Sequence, residues 1–123
     1  MKSDFVQAGD VRLQYFEDGD GPETMVLVHG YASSAILWKY TIEALAESGK
    51  YRVIALNNRG AGDSDRTSSE EDYTVQNFAK DLYNAVSALG MSDFILVGHS
   101  MGGATVTQFA LNHQDMLLSL IHI

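Results

Sequence analysis

Residues 95–104, ILVGHSMGGA, place a serine, Ser100, between two glycines at the end of an apolar run. Phe94 to Val97 is a short continuous apolar stretch of the kind that forms a strand buried on both faces, and Met101 to Asn112 reads as a helix. Ser100 therefore falls where a strand turns sharply into a helix. Such a turn strains the backbone of its central residue, and side chains at Gly98 or Gly102 would clash with the turn's own chain. The helix that follows aims its N-terminal amides and positive dipole at the same place, where the Met101 N–H can hold a developing oxyanion. A serine is nevertheless a poor nucleophile until a base takes its proton.

Outward from this stretch the chain alternates strand and helix signals. Phe5 to Ala8 and Val11 to Phe16 flank Gly9-Asp10 as a hairpin. Met25 to Val28 is a second buried run, ending at His29-Gly30. Ile36 to Ala46 carries Leu37, Trp38, Ile42, Leu45 and Ala46 as a helical stripe closed by Gly49. Tyr51 to Leu56 is a further buried strand, and Asn57 to Ser69 a loop rich in Gly, Asp and Ser. Thr74 caps a helix whose Val75, Phe78, Ala79, Leu82, Val86 and Leu89 share one face, with Gly90 at its end. Leu117 to Ile121 is a last strand. The order predicts right-handed crossovers and a mostly parallel sheet, an α/β fold in three layers behind an N-terminal β-hairpin. In such a sheet functional groups collect at the carboxyl ends of strands. The residue after His29-Gly30, Tyr31, is then the natural second N–H for the oxyanion.

Composition narrows the function classes. The chain has 123 residues, 46% of them apolar, which suffices for one domain with a real core. Sixteen acidic residues against eight basic ones give a net charge of −8, with no basic stripe, so nucleic acid is not an expected partner. There is no cysteine, hence no disulfide framework and no thiolate metal site. No apolar run at the N-terminus is long enough for a signal peptide or membrane span, and a soluble, cytoplasmic protein is expected.

Three motifs in order, VLVHGYASS, NNRGAGDSD and ILVGHSMGGA, resemble the α/β-hydrolase family from end to end. The resemblance implies strand order 1-2-4-3-5-6, a nucleophile elbow at Ser100, and an oxyanion hole from the Tyr31 and Met101 amides. It casts His29, Gly30, Gly98, His99, Gly102 and Gly103 as supporting residues. One departure is Asn57, where members often carry Asp. Relatives that open epoxides or cleave carbon–halogen bonds carry aspartate at the elbow, so a serine here implies hydrolysis of esters, thioesters, amides or carbon–carbon bonds. The expected partner is a small acyl substrate, and no cofactor is implied. The alternative is a non-catalytic module of the same fold that binds a ligand or partner.

The family supplies its acid and histidine after the serine, on later strands. Here His113 would lie roughly 20 Å away along a helix. His99 is expected to pack and His29 to hold its loop by a hydrogen bond. Asp115, the only later carboxylate, reads as a helix-end residue, and the closing LSLIHI, containing His122, resembles translated sequencing-adapter DNA. The expectation is therefore the N-terminal part of one hydrolase domain, strands one to six and three helices, lacking acid, base and cap, inactive alone and prone to self-association along its last strand. Trp38 is expected in the core, and Arg59 is expected to tie down its own loop beside Asp63 and Asp65.

Overall fold

Gly9, at φ 66°, turns strand β1 (Lys2–Ala8) back onto β2 (Val11–Asp18). In the computed structural model, which describes Met1–Ile123, this hairpin leads into a six-stranded sheet. Its other strands are β3 (Glu23–Val28), β4 (Tyr51–Leu56), β5 (Phe94–Gly98) and β6 (Leu117–His122). The order is β1-β2-β4-β3-β5-β6, as the resemblance implies. β2 runs antiparallel to β4, and every pair from β4 to β6 is parallel.

Strands β3, β4 and β5 are largely apolar on both sides because each buries alternate residues under different helices. On one face Val26 and Val28, Ile54 and Leu56, and Phe94 and Leu96 join a core of 18 buried residues. Helices α2 (Val75–Ala88) and α3 (Met101–His113) cover it. On the other face Leu27, Val53, Ala55 and Val97 pack with Trp38 and Ile42 under α1 (Lys39–Glu47). Burying a side chain such as Leu27 or Phe94 stabilises the fold by about 1.5–3 kcal/mol. Trp38 thus lies in the core, as expected.

Helix α2 begins as its sequence predicts, with the Thr74 hydroxyl accepting from Asn77 N–H at 3.1 Å. The stretch predicted as a helix over 36–46 differs. Ala35–Trp38 forms a 3-10 turn, and α1 starts only at Lys39. The cause is tertiary: Ala35 N–H donates to Asn57 Oδ1 at 2.7 Å, so a neighbouring loop anchors the first turn in place of a local cap. Leu37, predicted on the buried stripe, is left exposed beside Ile36. A second 3-10 turn, Glu70–Asp72, precedes α2. No helix is long and apolar enough to cross a membrane.

Candidate active site

The register of β3 and β5 sets the site. Val28 pairs with Gly98 and also with Leu56 of β4, so His29, Asn57 and His99 leave three adjacent strands at one level. His99 N–H then donates to the Val28 carbonyl at 3.1 Å, carrying the ladder into the turn. Ser100 follows at φ 57°, ψ −121°, a conformation that costs an L-residue on the order of 1–3 kcal/mol. Two bonds clamp it as α3 starts, Gly102 N–H to His99 C=O at 2.9 Å and Gly103 N–H to Ser100 C=O at 2.8 Å.

Close approach explains the glycines. A methyl on Gly102 would overlap the Val28 carbonyl and lie 2.7 Å from that of His29, and one on Gly98 would strike the Gly102 carbonyl. At Gly30 the added carbon would sit 3.2 Å from Ser100 Cβ, so this glycine lets the β3 loop close over the serine. Gly103 is different: its nearest obstacle is the movable His122 ring. The Ser100 side chain is exposed and spends no hydrogen bond on capping α3. Neither the Tyr31 nor the Met101 amide donates to a backbone carbonyl. Both residues line a cavity of about 450 Å³ beside the turn. Relief of strain gives a first expectation: Ser100→Gly raises the unfolding free energy by about 1 kcal/mol, whereas Ser100→Ala does not. Urea denaturation of the two variants against the parent checks it.

His29 is the hinge pin between two of these loops. Asn58 N–H donates to its Nε2 at 3.1 Å, so the ring proton is on Nδ1, which donates to the Gly30 carbonyl at 2.8 Å. Burial pushes its pKa below the ordinary 6.5, with the Gly30 bond opposing. With a folded-state pKa lower than the unfolded one, His29 contributes stability that is full above about pH 6.5 and falls as the pH drops toward the depressed value. The difference in unfolding free energy between the parent and His29→Gln is therefore expected to shrink with acidification below about pH 6.5. A pH series of denaturation curves measures it.

Asn57 does not face a substrate. Its side chain is buried, accepting from Ala35 N–H and donating to Gln14 Oε1 at 2.8 Å, while Gln14 Oε1 also accepts Asp63 N–H at 2.9 Å. Ser64 Oγ closes the knot between Asn57 C=O and Gln14 N–H. An aspartate at 57 would face Gln14 Oε1 with a second acceptor. Asn57→Asp is thus expected to destabilise by about 1–3 kcal/mol, unless Gln14 becomes Lys or Arg in the same chain. Thermal melts of the single and double variants distinguish the two.

Arg59 corrects an expectation. It does not bond the carboxylates of its own loop; it forms a buried fork with Asp81 of α2, Nε to Oδ2 at 2.7 Å and Nη2 to Oδ1 at 2.8 Å. Those bonds hold the guanidinium above its ordinary pKa range in spite of burial. Arg66 does the local tying, through the Gly60 and Gly62 carbonyls. Asp81 and Gln14 were absent from the sequence-based site. Asp81 left a trace, an acid set inside the apolar arc of α2, but Gln14 left none.

The other histidines are occupied elsewhere. His99 meets Trp38 edge to face, ring centroids 6.2 Å apart. His113 stacks on Tyr83 at 3.9 Å. The His122 ring lies against Gly103, and Asp115 sits in the 3-10 turn Gln114–Met116.

An elbow of this geometry after the third parallel strand of such a sheet defines a class, and the comparisons agree. Residues 23–123 match the family model described as alpha/beta hydrolase fold, and the chain belongs to that family. It is 37% identical over 112 residues to epoxide hydrolase 3 of Xenopus tropicalis, covering 90% of this chain and 30% of that protein. It is 38% identical over 105 residues to bifunctional epoxide hydrolase 2 of Sus scrofa, covering 85% of this chain and 19% of that one. The crystal structure of an epoxide hydrolase from Vigna radiata superposes with a TM-score of 0.92 over 98% of this chain and 39% of that chain, a likeness of fold at 23% identity. The chain thus spans less than a third of the length of either curated relative.

Proposed function

We propose that this chain is the nucleophile-bearing, N-terminal part of a serine hydrolase domain acting on a small acyl substrate. Ser100 Oγ attacks a carbonyl, the Tyr31 and Met101 amides take the oxyanion, and water releases the acyl group from Ser100. The observation that carries this reading is the strained, exposed Ser100 at the N-terminus of α3, beside two amides with no backbone acceptor. On this reading none of the four histidines described above, nor Asp115, serves as its base or acid.

The relatives' names raise epoxide opening as a second chemistry, and the elbow residue argues against it here. A carboxylate that opens an epoxide becomes an ester, which water cleaves at its carbonyl. The Ser100 hydroxyl would become an ether, which offers water no carbonyl and ends turnover.

A fluorophosphonate reporter tests the nucleophile: the full-length hydrolase is expected to be labelled at Ser100 and Ser100→Ala to stay unlabelled. Folded, unlabelled parent protein would instead support a binding module. The 123-residue chain itself is expected to self-associate, because Leu118, Leu120 and Ile121 are exposed on edge strand β6. Size-exclusion chromatography would contradict this by showing a compact monomer.

A further inference from the structure

Of the five methionines, Met91 is buried in the core under α2 and α3, Met116 packs against that core and Met25 against the one under α1, whereas Met101 belongs to neither. Met101 follows Ser100 directly, is half-buried, and with Tyr31 lines the cavity of about 450 Å³. The proposed mechanism uses its amide and leaves its thioether idle. Accessible thioethers react with peroxides, and the product, a sulfoxide, replaces an apolar group with a strong hydrogen-bond acceptor. An opening that admits an acyl substrate to Ser100 admits the smaller peroxide as well. Because Met101 supports neither half of the core, the change acts on the site and spares the fold.

We propose that Met101 is a redox modification site, at which hydrogen peroxide converts the thioether to the sulfoxide and reversibly blocks acyl substrates. The sulfur lone pair takes one peroxide oxygen as the O–O bond breaks, and that oxygen passes its proton to the departing one, which leaves as water. Sulfur is oxidised by two electrons and the peroxide reduced by two. The new oxygen is an acceptor on the wall that carries the Tyr31 and Met101 amides. Since neither amide donates to a backbone carbonyl, it competes with the acyl carbonyl for them. The assignment rests on the reading of Ser100 and these amides as the reacting centre.

The test treats the full-length protein with hydrogen peroxide and follows peptide masses, fluorophosphonate labelling of Ser100, ester turnover and the thermal midpoint. The Met101 peptide is expected to gain one oxygen ahead of the Met25, Met91 and Met116 peptides. Labelling and turnover are expected to fall tenfold or more in step with that gain, at an unchanged midpoint, and to return after reduction by methionine sulfoxide reductases with a thiol. Met101→Leu, whatever its own activity, is expected to keep it through the same treatment. Met101→Gln, which places an acceptor there without oxidation, is expected to reproduce the loss at the parent's midpoint. The proposal is overturned if Met101 stays unoxidised while the packed methionines react, if the midpoint falls with the labelling, or if Met101→Leu is inactivated as the parent is. A parent unlabelled before any peroxide sinks the reading of Ser100 and the modification with it. A parent labelled equally before and after oxidation at Met101 sinks only the modification.

Discussion

Replacing Asp81 with alanine is expected to cost about 3–5 kcal/mol of stability, because it strands the Arg59 guanidinium inside the protein. The pair is buried on both sides, with side-chain exposures of 8% and 3%, and the two forked bonds are its main compensation for lost hydration. With a urea slope of about 1–3 kcal/mol per molar, the midpoint should fall by a molar or more. The double variant Arg59→Met, Asp81→Leu removes both charges and is expected to recover most of the loss. Were Asp81→Ala to unfold at the parent's midpoint, the fork would be a surface pair in solution. The same bond matters to the site, since Arg59 fixes the loop whose Asn58 amide meets His29.

Loss of the Ser100 hydroxyl is the other large effect. With Ser100 as the proposed nucleophile, Ser100→Ala in the full-length protein is expected to reduce acyl-ester turnover on the order of 10⁶-fold, leaving only what the proposed oxyanion amides and substrate binding provide. Steady-state hydrolysis of a 4-nitrophenyl ester measures it. Residual turnover within tenfold of the parent would place the nucleophile elsewhere. Ser100→Asp is expected to abolish ester hydrolysis as well, because attack of its carboxylate on an ester carbonyl would have to expel the more basic alkoxide to give a mixed anhydride, and the adduct returns the carboxylate instead. Parent protein that turns over styrene oxide catalytically would refute the ether argument.

The fold was legible because burial on both faces writes itself as continuous apolar runs, at Met25–Val28, Val53–Leu56 and Phe94–Val97, separated by one amphipathic stripe per helix. The elbow was legible for a steric reason: backbone carbonyls approach Gly98 and Gly102 so closely that only hydrogen fits. His29 could be placed as a loop holder, though not its partner Asn58. The start of α1 is not legible in the local sequence, because Asn57, 22 residues away from Ala35, supplies the bond that the local sequence lacks.

By itself, then, the sequence determined the order of strands and helices, the position of the strained serine and the apolar halves of the core, since each depends on neighbours along the chain or on period. Tertiary structure alone decided that Arg59 pairs with Asp81, that Asn57 is knotted to Gln14, and that the Asn58 amide meets His29. Hydrogen bonds are short and directional, so their pairing is settled by which loops the sheet brings within about 3 Å of one another. No periodicity along the chain encodes that meeting.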